Sequence, residues 1–311
     1  MSKPRLRQRH ISDKLLKMLD ITGCYHKVTE IVKVDPYLDM EMRGNTGAIV
    51  YYRGGKILTI NEEKGLIGLD AKYFRGNLPN LVPDIDNIFE YFCNAKHIMD
   101  IYESTVKSKL GEKEIQQRVV FENNLSVNAD NTDYFVVDVE WADNNRLGGR
   151  ADIVAFRWDH TIQSHKKRCL TLTLIEVKQG EKAIKTKVGG NPGLKKHYAD
   201  YVRILQDKNY IADIKKDMLC VLEQKNQLGL IKGLDKLYTN GKKKFIPNVD
   251  NNVDFVFLLA NYHLYSTALK VEWQLLPPNC KFYVASFMGY GLYKDRVYSK
   301  EEIEKIFSDI I

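Results

Sequence analysis

The chain has 311 residues, of which 44% are hydrophobic and 11% aromatic, enough for one large domain or two ordinary ones with packed cores. Lys and Arg outnumber Asp and Glu by 47 to 40, and this net charge of +7 leans mildly toward a nucleic-acid partner. No apolar run approaches the length of a membrane span, and the basic N-terminus has no apolar signal core. We therefore expect neither membrane association nor export.

The cysteines indicate a reducing compartment. The five cysteines are far apart and form no C-x-x-C pair, so neither a disulfide framework nor a zinc knuckle is indicated. We expect inert thiols in a cytoplasmic protein.

The N-terminal quarter of the chain predicts a small sheet. Residues 11–20 predict a short helix capped by Ser12. Residues 25–74 are expected to be rich in β-structure. Their clearest feature is a pair of apolar runs around Gly54-Gly55, which suits a two-residue hairpin turn. We expect residues 1–82 to form a β-rich accessory domain.

The remainder, residues 83–311, predicts a mixed core. Asp84 follows two chain-breaking prolines and is expected to cap a long amphipathic helix that ends near Leu110. The further expected elements are a helix at 112–124, strands at 133–143, 148–159 and 170–180, helices at 193–206 and 211–230, strands at 253–261 and 281–293, and a helix at 301–310. This order predicts an α/β (α+β) fold, with a central mixed sheet flanked by helices.

Acidic and basic side chains gather around two of the predicted strands. Asp152 lies near the start of one strand, and Glu176 and Lys178 lie at the end of the next. Because strand residues two apart point to the same face, Glu176 and Lys178 are expected to lie side by side. An acid on the upstream helix, Glu114, completes the set.

These residues resemble the PD-(D/E)xK nuclease superfamily. Asp152 stands in the stretch GRAD, and Glu176 and Lys178 stand in EVK, while Glu114 matches the extra helical acid of many members. The resemblance covers roughly residues 110–290. It implies a restriction-endonuclease-like fold and a Mg²⁺- or Mn²⁺-dependent nuclease, with DNA favoured over RNA as the substrate.

Two positions depart from the family pattern. Ala151 replaces the proline that often precedes the first acid. Some exonuclease-like members carry Gln-x3-Tyr on the following helix, and this chain has Tyr201 in place but His197 where the Gln would be. The second departure argues against the RecB-like branch.

The resemblance also implies roles for the individual residues. Asp152, Glu176, the carbonyl of Val177 and Glu114 would bind the cation, because Mg²⁺ prefers oxygen ligands. Lys178 would position the attacking water and stabilise developing charge. Nine Lys and Arg oppose two acids between Ser164 and His197. Five of these lysines are expected to contact phosphates, namely Lys182, Lys185, Lys187, Lys195 and Lys196.

Simpler interpretations stay open for each feature. An E-x-K pair at a strand end is commonly a solvated ion pair, and Lys195 and Lys196 are equally compatible with a solvated helix face. Gln117, His197 and Tyr198 are candidate accessory residues that are also compatible with ordinary packing or surface positions.

Two other classes of function also stay open. One is a nucleic-acid-binding or interaction protein that keeps the fold without catalysis. The other is an effector sensor in the N-terminal half, although no phosphate-binding motif supports it. The sequence leaves a homo-oligomer open.

Overall fold

The computed structural model describes most of the chain in several segments. The described residues are 8–74, 81–106, 111–143, 149–158, 169–184, 193–234, 239–240, 243–244, 248–261, 275–285 and 289–308.

Helices occur along the whole chain. They are α1 (Asp13–Leu19), α2 (His26–Val34), α3 (Ile88–Val106), α4 (Glu112–Asn124), α5 (Glu181–Ile184), α6 (Leu194–Gln206), α7 (Lys208–Gln227) and α8 (Lys300–Ser308). The predicted cap of α1 is confirmed, since the side chain of Ser12 accepts a hydrogen bond from the Leu15 backbone N–H.

The strands of the described residues form three sheets. They are β1 (Leu38–Met42), β2 (Ala48–Tyr52), β3 (Gly55–Asn61), β4 (Gly65–Ile67), β5 (Tyr134–Asp143), β6 (Gly149–Arg157), β7 (Cys169–Gln179), β8 (Thr239–Asn240), β9 (Lys243–Lys244), β10 (Asn248–Ala260), β11 (Lys281–Ala285) and β12 (Val297–Ser299). A four-stranded sheet runs β1-β2-β3-β4, a six-stranded sheet runs β12-β11-β10-β7-β6-β5, and β8 pairs with β9.

The N-terminal sheet corrects two details of the prediction. Residues 26–34 form helix α2 rather than a strand, because Val28 and Val32 recur four apart and bury one helical face. The hairpin turn consists of Arg53 and Gly54, since Tyr52 pairs with Gly55 across it. Arg53 and Gly54 both have positive φ, at 49° and 77°, as a two-residue turn of this kind requires.

The long helix α3 begins later than predicted. Asp84 does not cap it. Its carboxylate instead accepts a hydrogen bond from the Asp86 backbone at 3.2 Å in a local turn, and the helix starts at Ile88. The predicted end near Leu110 lies outside the described residues.

The six-stranded sheet is mixed, as predicted. The strands β7, β10 and β11 are mutually parallel, whereas β5, β6 and β12 are antiparallel to their neighbours. Side chains on β7 alternate between its two faces: Leu172 and Leu174 join one apolar cluster, and Ile175 and Val177 join another. Glu176 and Lys178 therefore continue the face of Leu172 and Leu174.

The N-terminal sheet and the six-stranded sheet share an apolar core. One continuous cluster of buried side chains contains Leu15 and Val50 from the N-terminal part together with Leu172 and Met218. The first 82 residues thus pack on the remainder through apolar contacts.

Buried charges also connect the two parts, and we call this set the interface network. Its members are Arg9, Asp39, Glu41, Arg43, Asp138 and Lys225. The ammonium of Lys225 donates to Glu41 at 2.7 Å with both side chains almost fully buried. The guanidinium of Arg43 contacts Asp138, and Arg9 lies 3.2 Å from the same carboxylate. Glu41 and Asp138 therefore each have a cation close to them, and the charges of Lys225 and Arg43 also act on Asp39.

Candidate active site

Strands β6 and β7 bring the predicted acids together at one end of the six-stranded sheet. The two strands are antiparallel and Ile153 pairs with Ile175, so Asp152 and Glu176 are neighbours just beyond that pair. The carboxylate of Asp152 accepts a hydrogen bond from the Val177 backbone N–H at 2.7 Å. This contact fixes Asp152 against the residue between Glu176 and Lys178.

Glu176 is the most strongly coordinated carboxylate of the group. Its Oε1 accepts a hydrogen bond from Lys178 Nζ at 2.6 Å and lies 3.0 Å from His197 Nδ1 on α6. Because a carboxylate only accepts, Nδ1 of His197 carries the proton in this contact. The side chains of Glu176 and Lys178 are 7% and 8% exposed, so this is not the solvated surface pair considered above.

The electrostatics of the site move the pKa values of Asp152 and Glu176 in opposite directions. Burial, followed by the charges of Glu176 and Glu112, raises the pKa of Asp152 well above its usual range. Burial also acts to raise the pKa of Glu176, but the contacts with His197 and Lys178 prevail and lower it. For Lys178, burial is outweighed by the carboxylate of Glu176, and the pKa of the amine is raised.

The acid on α4 whose charge acts on this group is Glu112, whereas Glu114 contacts two arginines. Burial is the main cause of a raised pKa at Glu112, and the charges that act on it include Lys178, Glu176 and His197. Glu114 instead lies 3.4 Å from Arg53 and 3.0 Å from Arg118. We call Glu112, Asp152, Glu176, Lys178 and His197 the sheet-end cluster.

A helical pattern in the sequence accounts for this difference. Glu112 precedes the buried residues Ile115 and Val119 by three and seven positions, so it continues their stripe on α4. Glu114 lies about 200° further round the helix, at 100° per residue. It therefore points toward the hairpin between β2 and β3.

The accessory candidates separate in the structure. His197 contacts Glu176, as described. Tyr198 donates to the side chain of Asn279 at 2.9 Å and packs on Phe255, and no described contact joins it to the acids. Gln117 binds the hairpin: its Oε1 accepts from Gly54 N–H at 2.5 Å, and its Nε2 donates to the Tyr51 carbonyl at 3.1 Å.

The predicted phosphate-contacting lysines are only partly described. Lys195 and Lys196 are exposed on the first turn of α6, immediately before His197. Lys185 and Lys187 lie outside the described residues, and only the backbone of Lys182 is described, within α5. Two exposed cations therefore directly precede the histidine that contacts Glu176.

The site provides carboxylate oxygens but not a complete set of protein ligands for a metal ion. Among the described residues, no group of three or more His, Cys, Asp and Glu is arranged to hold a metal ion. Mg²⁺ needs less than such a set, because it keeps several waters and commonly binds through one or two carboxylates together with substrate phosphates. Asp152 and Glu176 provide such a pair, with Glu112 close enough to act on both charges.

Comparisons with known proteins return nothing. No family model, no curated protein and no solved structure matches this chain. None of the helices in the described segments has both the length and the apolar character needed to cross a bilayer.

Proposed function

We propose that this chain is a metal-dependent nuclease that hydrolyses phosphodiester bonds, with DNA as its substrate and a restriction-endonuclease-like core. The observation that carries the proposal is the composition of the sheet-end cluster. Three acids interact with one ammonium and a histidine, so the cluster would hold an excess of negative charge if all three acids were ionised, and the pKa values of Asp152 and Glu112 are raised instead. Such an excess in a largely buried place is costly unless a cation compensates it.

The donor set fits a hard divalent cation. Asp152 and Glu176 would hold Mg²⁺ or Mn²⁺, because both ions prefer carboxylate oxygens, and the charge of Glu112 would support the bound ion. A bound ion of this kind would neutralise phosphate charge and lower the pKa of its water.

The other residues act through charge and position. Lys178, close to carboxylates, is a fixed cationic donor for a water or a phosphate oxygen, and donors of this kind stabilise charge that develops during the reaction. His197 holds Glu176 through Nδ1 and so limits the rotation of its carboxylate. Lys195 and Lys196 are suited to the DNA backbone.

Cleavage assays test the proposal directly. The purified protein should cut plasmid or single-stranded DNA with Mg²⁺ or Mn²⁺ and should be inactive with EDTA. Asp152→Asn, Glu176→Gln and Lys178→Met should each lower the rate by on the order of 10³-fold, which is typical for loss of a group that stabilises the transition state.

A pair of variants on one helix turn provides the matched control. Glu112→Gln should slow cleavage by at least about tenfold, since it removes a ligand or its support. Glu114→Gln, two residues away, should leave the rate within about threefold, because its partners Arg53 and Arg118 are partly exposed. Binding of DNA without cleavage under any metal would favour the non-catalytic alternative, and Lys178→Met that cuts at the parent rate would contradict the role of the lysine.

A further inference from the structure

The hairpin between β2 and β3 lies directly against the start of α4. Its turn residue Gly54 has a φ of 77°, and a Cβ at this position would lie 2.3 Å from the Cβ of Lys113. Real Cβ atoms do not approach so closely, so the contact needs glycine. The turn and the helix therefore meet at backbone distance.

One side chain on α4 holds this contact from the helix side. The amide of Gln117 accepts from the Gly54 N–H and donates to the Tyr51 carbonyl, and the residue is only 6% exposed. It therefore pairs with both a donor and an acceptor of the hairpin backbone, as a neighbouring strand would. Leaving such buried groups unpaired costs about 1–3 kcal/mol each.

The start of α4 depends on contacts of this kind. The helix begins at Glu112, and the N-cap residue Gly111 has no side chain with which to cap it. Uncapped helix ends fray unless other contacts hold them. Gln117 lies five residues after Glu112, about 7.5 Å along the helix axis at 1.5 Å per residue.

We infer that Gln117 is a positioning residue, which clamps the hairpin onto α4 and thereby holds this helix, and Glu112 with it, against β7 and its Glu176. The inference rests on the proposed function in one respect, namely that Glu112 supports a bound cation. The N-terminal sheet would then contribute to the site, because its hairpin supports α4, the helix that carries Glu112.

Calorimetric titration with Mn²⁺ tests the inference without relying on cleavage. We expect Gln117→Met, which keeps the size of the side chain but removes both hydrogen bonds, to weaken Mn²⁺ binding about tenfold, as loss of a supporting partner commonly does. The neighbouring Gln116→Ala is the matched control. Gln116 is equally buried but donates to Glu140 at 3.0 Å instead of to the hairpin, so its loss should leave Mn²⁺ affinity unchanged.

A double variant identifies the route. If Gln117 acts through Glu112, Gln117→Met combined with Glu112→Gln should bind Mn²⁺ no more weakly than Glu112→Gln alone. Independent effects would multiply instead, and that result would overturn the inference. An unchanged affinity in Gln117→Met, an equal loss in Gln116→Ala, or a parent that binds no Mn²⁺ would overturn it as well.

A second variant covers the case in which Gln117→Met does not fold. Gly54→Ala keeps Gln117 but pushes the turn away from Lys113, and it should weaken Mn²⁺ binding in the same direction; parental affinity would contradict the inference. The two proposals fail separately. If the parent binds Mn²⁺ with an affinity that depends on Gln117 but never cuts DNA, the positioning role is supported and the nuclease proposal is contradicted. If the parent cuts DNA but its Mn²⁺ affinity does not change in Gln117→Met, the nuclease proposal is supported and the positioning role is contradicted.

Discussion

The molecule contains two buried groups of charge that differ in their balance. The interface network has three carboxylates and three cations, and Glu41 and Asp138 each lie close to a cation from a distant part of the chain. The sheet-end cluster has three carboxylates near one lysine and one histidine. Every member of the interface network is buried, and so are Glu176 and Lys178, so burial alone does not separate a structural from a functional group.

The difference in balance has a physical meaning. The interface network has equal numbers of acids and cations, although burial still raises the pKa of Asp39 and Glu41, and removal of one member leaves a buried charge alone. An uncompensated cluster of acids repels itself, and this cost is relieved by a proton or by a metal cation. We therefore propose that the interface network serves folding and that the sheet-end cluster serves catalysis.

The largest expected effect contrasts two aspartates. Asp138→Asn removes the carboxylate that faces Arg9 and Arg43, and we expect it to lower the free energy of unfolding by about 3–5 kcal/mol. Asp152→Asn relieves repulsion within the sheet-end cluster and should change the free energy of unfolding by less than about 1 kcal/mol, or raise it. Urea unfolding without metal measures both, and equal losses would contradict the comparison.

A divalent cation should stabilise the parent by a smaller amount. At a concentration about 100 times its dissociation constant, Mn²⁺ should raise the free energy of unfolding by about 2.7 kcal/mol, because it binds the folded chain alone. Glu176→Gln should lose this gain, and Glu114→Gln should retain it. Thermal unfolding with Mn²⁺ and with EDTA measures the effect; a gain that survives in Glu176→Gln would place the cation elsewhere.

The smallest effect concerns the basic flank of the sheet-end cluster. In an inactive Glu176→Gln background, the double change Lys195→Glu and Lys196→Glu should weaken DNA binding about tenfold. It should also flatten the slope of log affinity against log salt by up to about 1.8, because each lost phosphate contact contributes roughly 0.9. Fluorescence anisotropy at several salt concentrations measures both quantities.

The control for that experiment makes the same change of charge on the next helix. Lys208 and Lys216 are exposed on α7, and their reversal to Glu should leave the salt slope as it was. If the two double reversals weaken binding equally, the effect reflects net charge and not a path for DNA along α6.

Local patterns predicted a large part of this architecture. The apolar alternation of β6 and β7 placed Glu176 and Lys178 on one face, and the strand context placed Asp152 beside them, because antiparallel neighbours meet at the same sheet end. The cap of α1 at Ser12 could also be predicted, because the hydrogen bond joins residues only three positions apart.

Other features depend on contacts that no local pattern contains. The choice between Glu112 and Glu114 turns on the rotation of α4 about its axis, which the buried stripe decides. The contact between His197 and Glu176 joins a helix to a strand, and the pairing of Glu41 with Lys225 spans 184 positions. The prediction that residues 25–74 are rich in β-structure missed helix α2, because short apolar segments suit both strands and helices.

The pairing of Glu41 with Lys225 also has a consequence for biosynthesis. The ribosome adds roughly 5–20 residues per second, so the 184 positions between these partners correspond to about 10–40 s of translation. During that interval the whole N-terminal sheet has emerged, yet the carboxylate that will be buried in β1 has no ammonium to meet it. The N-terminal sheet is synthesised first, but its buried carboxylate is paired only by a helix that is synthesised later. A nascent chain that stalls before α7 therefore carries strands β1 to β4 without Lys225, the partner of Glu41.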